Sequence, residues 1–430
     1  YAHFELCVAD DSSANPRIRE ILEKYERTNK RVRCIFRGER GHIVEATRSA
    51  IQLSSGQVLC LFDHDDLLIE NALFEVAREL SQQPSLDVVY SDEYIINSQE
   101  KVRELARKPA WSPFYFYHYM YIGHLVAFRR EIFDKVGGLS SIAVGSQDYD
   151  LLLRMAQAGA AIFHIPKPLY CWRAHGGSAA SHPAQKGYAL EAAKRSLQTI
   201  VASRAISVSE SVYPGVYRYV PKKTLEYEIF RFQEGEFAHT LRLASESSAP
   251  FVILQHEQIV FDPFALRRLG ADISLPRVGI VSCVLYSAVS KKVLEAGYSV
   301  RGNEIFRNFS NTSIYEAGKG MRLWSGYDVL ATSGKATAFS TRLLKEALEC
   351  SVALESERAI ELAISLQVRK LGYSAACSGL ARAKWSGGDL PGIECFSPEA
   401  DYHKLLELFP SFRALDSYHP PLQKRFGFQS

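Results

Sequence analysis

At 430 residues and 47% hydrophobic content the chain can bury a core in each of two ordinary domains, and its formal net charge of +3 is spread without a basic run, which gives no ground for a nucleic-acid partner. No stretch approaches about 18 consecutive apolar residues, and the first residues carry neither a basic n-region nor an apolar h-region, so the chain is expected to be neither secreted nor membrane-spanning by itself. Its eight cysteines, at positions 7, 34, 60, 171, 283, 350, 377 and 395, form no CxxC pair, a usage expected of buried thiols in the reducing cytoplasm.

The pattern opens on an apolar run, Phe4 to Ala9, that ends in Asp10-Asp11-Ser12-Ser13, a buried strand running into a polar loop. A helix is expected from about Pro16 to Tyr25, with Ile18, Ile21 and Leu22 on one face. A second strand is expected at Val32–Phe36, then a helix carrying Ile43, Ala46, Thr47, Ala50 and Ile51 and closed by Gly56. Val58–Phe62 reads as a third strand, and the helix after it places Leu73, Val76, Ala77 and Leu80 on one stripe. With a further strand at Val88–Tyr90, residues 1 to about 90 form a βαβαβαβ series, which argues for a mainly parallel sheet flanked by helices.

Beyond Asp92 an aromatic stretch, Trp111 to Tyr119, precedes a strand-like Leu125–Phe128, then a helix from about Gln147 to Ala158 and a strand at Ala161–Ile165. The expected organisation is a first domain over residues 1–200, a connector over 201–224, a second α/β domain over 225–395 and a tail over 396–430. In the second domain strands are expected at Phe251–Leu254 and Val278–Val284, and a helix at Glu357–Leu371.

Chemistry concentrates at the end of the third strand, in Asp63-His64-Asp65-Asp66. Ligands of open α/β sheets bind at the C-terminal strand ends, and two carboxylates one residue apart can share a divalent cation that bridges a diphosphate. Asp63 and Asp65 suit that role, and the alternative is a polar loop capping the next helix. Asp11 reaches the same edge and can accept a hydrogen bond from a pyrimidine N–H, or cap the helix near Pro16. Asp148 opens a helical run, where unsatisfied N–H groups keep a carboxylate ionised as a general base. Its bland alternative is a helix N-terminal charge, the reading preferred for Asp150. Arg48, Arg173 and His175 are candidates to hold a diphosphate. Tyr115, Tyr117, Tyr119 and His124 line an acceptor site in one reading and belong to the core in the other.

With these residues in place the chain resembles glycosyltransferase family 2, of the GT-A (Rossmann-like) fold, and in particular tandem bacterial enzymes of O-antigen, capsule or rhamnan assembly. The matching segments are Phe4–Ser13, Leu61–Leu68, Tyr90–Glu93, Tyr121–Leu125, Gly145–Leu151 and His164–Arg173, which cover about the first 180 residues in the family's order. The resemblance implies an inverting transfer of a hexose, rhamnose included, from a nucleotide diphosphate sugar to a growing cell-surface polysaccharide or lipid-linked glycan. It implies Mg²⁺ or Mn²⁺ at Asp63, Asp65 and His175, a donor site of Asp11, Arg48, Asp63 and Arg173, and Asp148 as the base. His124, Asp92 and Trp111 are expected on the acceptor side, with the enzyme at the cytoplasmic face of the inner membrane.

Relatives open with a strand and a helix ahead of the segment that opens this chain, and the resemblance implies that those are missing here. The loop that usually carries two glycines reads Arg40-Gly41-His42, and Gln147 stands where many relatives have Glu. The second domain resembles a shortened, degenerate GT-A-like copy through Val212–Arg218 and Val278–Val281, with Gln255-His256-Glu257-Gln258 in place of a DxD. It is expected to be a scaffold or glycan contact, and the alternative for the whole chain is a non-catalytic glycan-binding subunit.

Overall fold

The computed structural model describes residues 1–174, 183–301, 304–349, 351, 354–387, 394–395 and 399–410. The chain divides into two compact units, Tyr1–Trp111 with Ile122–Ile200, and Ser112–Tyr121 with Val201–Ser430.

The first unit is built from β1 (Leu6–Asp10), α1 (Pro16–Thr28), β2 (Val32–Phe36), α2 (His42–Leu53), β3 (Val58–Leu61), β4 (Leu67–Leu68), α3 (Ala72–Gln82), β5 (Val88–Ile96) and β6 (Val102–Ala106). After α4 (Pro113–His118), which belongs to the second unit, it continues with β7 (Val126–Arg129), α5 (Arg130–Lys135), α6 (Gln147–Gln157), β8 (Ile162–Arg173) and α7 (Pro183–Ile200). The elements read from hydrophobic period are present, most within a few residues of their expected bounds.

The α/β class holds, and the sheet that carries it is mixed. β1 and β2 pair in parallel as a two-stranded sheet, from Leu6↔Val32 to Asp10↔Phe36. The larger sheet has the order β3-β7-β5-β8-β4, with β6 paired to β5. Its parallel pair is β5 with β8, while β7 runs antiparallel between β3 and β5. Strand periodicity reports burial and not direction, so the insertion of β7 is invisible in the βα alternation.

Helix α1 starts as expected, with Pro16 in the first turn and Asn15 Oδ1 accepting from Arg17 N–H at 3.1 Å. Its apolar face, however, is not buried: Ile18 is 39% and Ile21 44% exposed. The two-stranded sheet offers it only half-buried partners. Helix α3 buries Ala72, Val76 and Leu80, whereas Leu73 and Ala77 remain half-buried. That stripe packs with Leu86, Val89, Leu125, Ala127, Ile165, Leu169 and Tyr170 in one core cluster.

The aromatic stretch folds as α4, and Tyr115 and Tyr117 are buried in the second unit. There Asp328 accepts hydrogen bonds from Ser112 Oγ at 2.6 Å and Phe114 N–H at 2.9 Å. For these tyrosines the core reading is the one observed. The segment expected as a connector contains an antiparallel pair, Ile206–Glu210 with Tyr217–Pro221. The second unit's main sheet has eight strands, and its spine runs through Tyr227–Phe232, Phe251–His256, Ala336–Ser340, Val278–Ser287 and Ser374–Trp385. A helix at Glu357–Lys370 is capped by Ser356, and another at Glu399–Leu408 begins the expected tail. Among the described residues no helix is long and apolar enough to cross a membrane.

Phe128 on β7 is fully buried, sits opposite Leu59 and Val88, and stacks on Phe133 with ring centroids 5.7 Å apart. Phe128→Ala is expected to destabilise the first unit by about 3–5 kcal/mol through lost burial and the cavity left behind. Urea unfolding monitored by far-UV circular dichroism measures this.

Candidate functional site

The acidic segment is shaped by a short strand pairing. After β3 the chain turns, closed by Asp66 N–H to Asp63 carbonyl at 3.3 Å, into β4, which pairs antiparallel with the end of β8. The register Leu67↔Cys171 and Leu68↔Tyr170 brings Tyr170 and Arg173 against the turn. Tyr170 Oη donates to Asp66 Oδ2 at 2.7 Å and accepts from Asp63 N–H at 3.2 Å. Arg173 N–H donates to Asp66 Oδ1 at 2.7 Å, and its Nε donates to Asp65 carbonyl at 2.6 Å. Burial and the adjoining carboxylates push the Tyr170 phenol far above its ordinary range, so it stays a neutral donor.

His124 comes from the segment before β7. Its Nε2 lies 3.7 Å from Asp63 Oδ2, and its ring stacks on Tyr170 with centroids 4.9 Å apart. Asp63, Asp66 and His124 each offer a ligand atom, and the three atoms lie within 4.8 Å of one another. Two carboxylates and an imidazole form a donor set able to hold a divalent cation. Desolvation raises the Asp63 carboxyl above its ordinary range; His124 opposes the rise, and the charges of Asp66, Asp65 and Asp148 add to it. A carboxylate that is costly to keep ionised among three others is one that a cation would relieve.

The other expected residues fall in several places. Asp148 is half-buried in the first turn of α6, and its charge acts on Asp63. Asp150 is buried and bound by Arg154 at 2.7 Å and Ser196 Oγ at 2.8 Å, a structural role. Asp65 is half-buried in the turn, outside the Asp63–Asp66–His124 group. Asp11 Oδ1 accepts from Arg37 Nε at 2.8 Å and Gly41 N–H at 2.9 Å. Desolvation works against it, yet hydrogen bonds from Gly41, His42 and Arg37 together hold the Asp11 carboxyl below the usual range. Arg48 is turned to Glu45 and to the Leu139 carbonyl. Trp111 is half-buried at the end of the first segment of this unit. Asp92 is 2% exposed, its Oδ1 accepting from His164 Nε2 and Lys108 N–H, both at 2.8 Å. His175 lies outside the described residues.

Sequence reasoning passed over Asp66, Tyr170 and Lys108. Spacing alone does not separate the three aspartates of Asp63-His64-Asp65-Asp66; the pairing of β4 with β8 does. Lys108 stood in a stretch with no period to flag it, yet its side chain is only 5% exposed.

The acidic group stands at a strand end of an α/β sheet, the edge at which open sheets bind ligands. Residues 1–137 match the family model for Glycosyl transferase family 2. The chain is 38% identical over 223 residues to uncharacterized protein y4gI of Sinorhizobium fredii, covering 51% of this chain and 24% of the relative. It is 32% identical over 219 residues to O-antigen biosynthesis protein RfbC of Myxococcus xanthus, covering 51% and 17%. The chain thus spans a quarter or less of the length of these relatives. Among solved structures, S. aureus TarS 1–349 in complex with UDP-GlcNAc is 18% identical, with a TM-score of 0.37, over 46% of this chain and 58% of that one.

The raised carboxyl of Asp63 fixes the sign of a stability effect. An acid whose folded pKa lies above its unfolded value costs stability once pH rises past the unfolded value, and the full cost applies at neutral pH. In the presence of a chelator, Asp63→Asn is therefore expected to raise the thermal midpoint at neutral pH, and the gain should vanish below the ordinary carboxylate range. Scanning calorimetry across pH measures both.

Proposed function

We propose that the first unit transfers a sugar from a nucleotide diphosphate sugar to a hydroxyl of a glycan, with inversion. The observation that carries this reading is the group of Asp63, Asp66 and His124 at the end of β3, with the charge of Asp148 acting on it, inside a family 2 segment. Asp63, Asp66 and His124 would hold a divalent cation. The chemistry that Mg²⁺ or Mn²⁺ supplies at such a centre is neutralisation of charge on the departing nucleotide diphosphate.

Asp148 accepts the proton of the acceptor hydroxyl while its oxygen bonds to the anomeric carbon, and the bond to the diphosphate oxygen breaks with its electron pair. Asp148 stands in the first turn of α6, its Oδ1 accepting from Tyr149 N–H at 2.8 Å. Asp11, Arg48 and Arg173 belong to the donor side in this reading and Trp111 to the acceptor side, whereas the buried Asp92, expected there too, is taken up by His164 and Lys108. Arg173 acts there through the turn, because its N–H and Nε hold Asp66 and the Asp65 carbonyl. A relative named for O-antigen biosynthesis supports a cell-surface polysaccharide or lipid-linked glycan as acceptor, and with it work at the cytoplasmic face of a membrane. The donor class extends to hexoses, rhamnose included.

The second unit is proposed to bind or brace and not to turn over a donor. Where a DxD would follow its strand, His256 is 7% exposed, with Phe232 and Trp385 ring centroids 5.2 and 5.1 Å away. An imidazole held in an aromatic pocket serves packing.

Asp148→Asn is expected to lower transfer by about 100- to 10,000-fold while donor binding persists, because only proton acceptance is removed. Asp63→Ala is expected to abolish both transfer and metal-dependent donor affinity. Initial rates with a panel of nucleotide sugars and Mn²⁺, alongside titration calorimetry, check this; unchanged rates in both variants defeat the assignment.

A further inference from the structure

The Asp63–Asp66–His124 group depends on a residue, His124, that lies in no strand or helix. Its backbone is held on both sides. Glu93 Oε2 accepts the His124 N–H at 3.0 Å, and the Lys108 ammonium donates to the His124 carbonyl. Glu93 and Lys108 are themselves an ion pair at 3.2 Å, with side chains 13% and 5% exposed. Burying an ammonium and a carboxylate costs several kcal/mol each before their attraction and hydrogen bonds repay it. A clamp on one peptide unit is a narrow use of so costly a pair.

Two further observations show that the clamp is built. Gly123 has φ +54°, and a Cβ there would come within 3.3 Å of Glu93 Oε2, so glycine lets the carboxylate approach. Lys108 is fixed from behind, because its own N–H goes to Asp92 Oδ1 at 2.8 Å. That same oxygen accepts from His164 Nε2, and the His164 ring stacks on Tyr90 with centroids 4.9 Å apart. Strands β5 and β8 therefore anchor the clamp, and the residue it grips is the one whose imidazole faces Asp63.

We propose that Glu93 and Lys108 are positioning residues that hold His124 as the third ligand of a divalent cation bound by Asp63 and Asp66. This rests on the cation reading of the site given above. Outer groups that orient a ligand typically govern metal affinity by about 10- to 100-fold, and here the orientation is imposed through the backbone.

The test uses the full chain and Mn²⁺ alone, with free Mn²⁺ read by electron paramagnetic resonance. The Glu93→Gln/Lys108→Met double variant replaces both charges at similar volume, a change that buried pairs often tolerate in stability. It is expected to weaken Mn²⁺ binding by about 10-fold or more, with the thermal midpoint recorded on the same sample. His124→Ala should weaken binding as much, and adding it to the double variant should give no further loss. If the double variant does not fold, Glu93→Gln alone, which keeps an oxygen for the His124 N–H, should weaken binding in the same direction by less. Mn²⁺ affinity unchanged in a folded clamp variant overturns the proposal, as does a loss that adds in full to that of His124→Ala. Wild-type binding that Asp63→Ala leaves intact defeats the cation reading itself, a separate result.

Discussion

Four carboxylates are brought to one end of the first unit, and their mutual repulsion is the constraint around which its site is organised. Desolvation raises the Asp63 carboxyl above its ordinary range, and the charges of Asp66, Asp65 and Asp148 add to the rise while His124 opposes it. Such a cluster persists because the surroundings supply positive charge and hydrogen-bond donors. Arg173 and Tyr170 satisfy Asp66, and the His124 imidazole stands beside Asp63. What the protein alone leaves uncompensated is what a cation would compensate.

The supports come from the sheet. Strand β8 runs parallel to β5 along its length, through two register shifts, and carries Tyr170 and Arg173 to the acidic turn. Strand β5 contributes Asp92 and Glu93 to a buried polar network that reaches His164, Lys108 and His124. One parallel pair thus supports both flanks of the centre. Buried polar groups on that scale hold their geometry because breaking any single bond strands a desolvated partner.

The two units share an α/β construction and differ in what they place at comparable strand ends. In the first unit the strand-end aspartates stay close enough to the surface to meet a ligand, Asp63 with half its side chain exposed. In the second, His256 is enclosed by Phe232 and Trp385, and Glu361 is buried against Arg358 and the Gly334 N–H. Both groups are taken up internally.

Local sequence carried most of the elements: the apolar run before Asp63, Val76 and Leu80 on the stripe of α3 and Pro16 in the first turn of α1 are local facts that neighbouring residues decide. The position of Asp63 and Asp148 as candidates was legible for the same reason, since a strand end and a helix N-terminus are read from adjacent sequence. The direction of β7, the exposure of Ile18 and Ile21, the internal burial of Asp92 and the grouping of Asp63 with Asp66 and His124 were not legible. Each depends on which strand lies beside which, and pairing between residues as distant as Leu68 and Tyr170 leaves no mark in local composition. Sequence by itself determined that an acidic centre exists; tertiary structure decided which oxygens face one another, because hydrogen-bond partners more than a hundred residues away set their orientation.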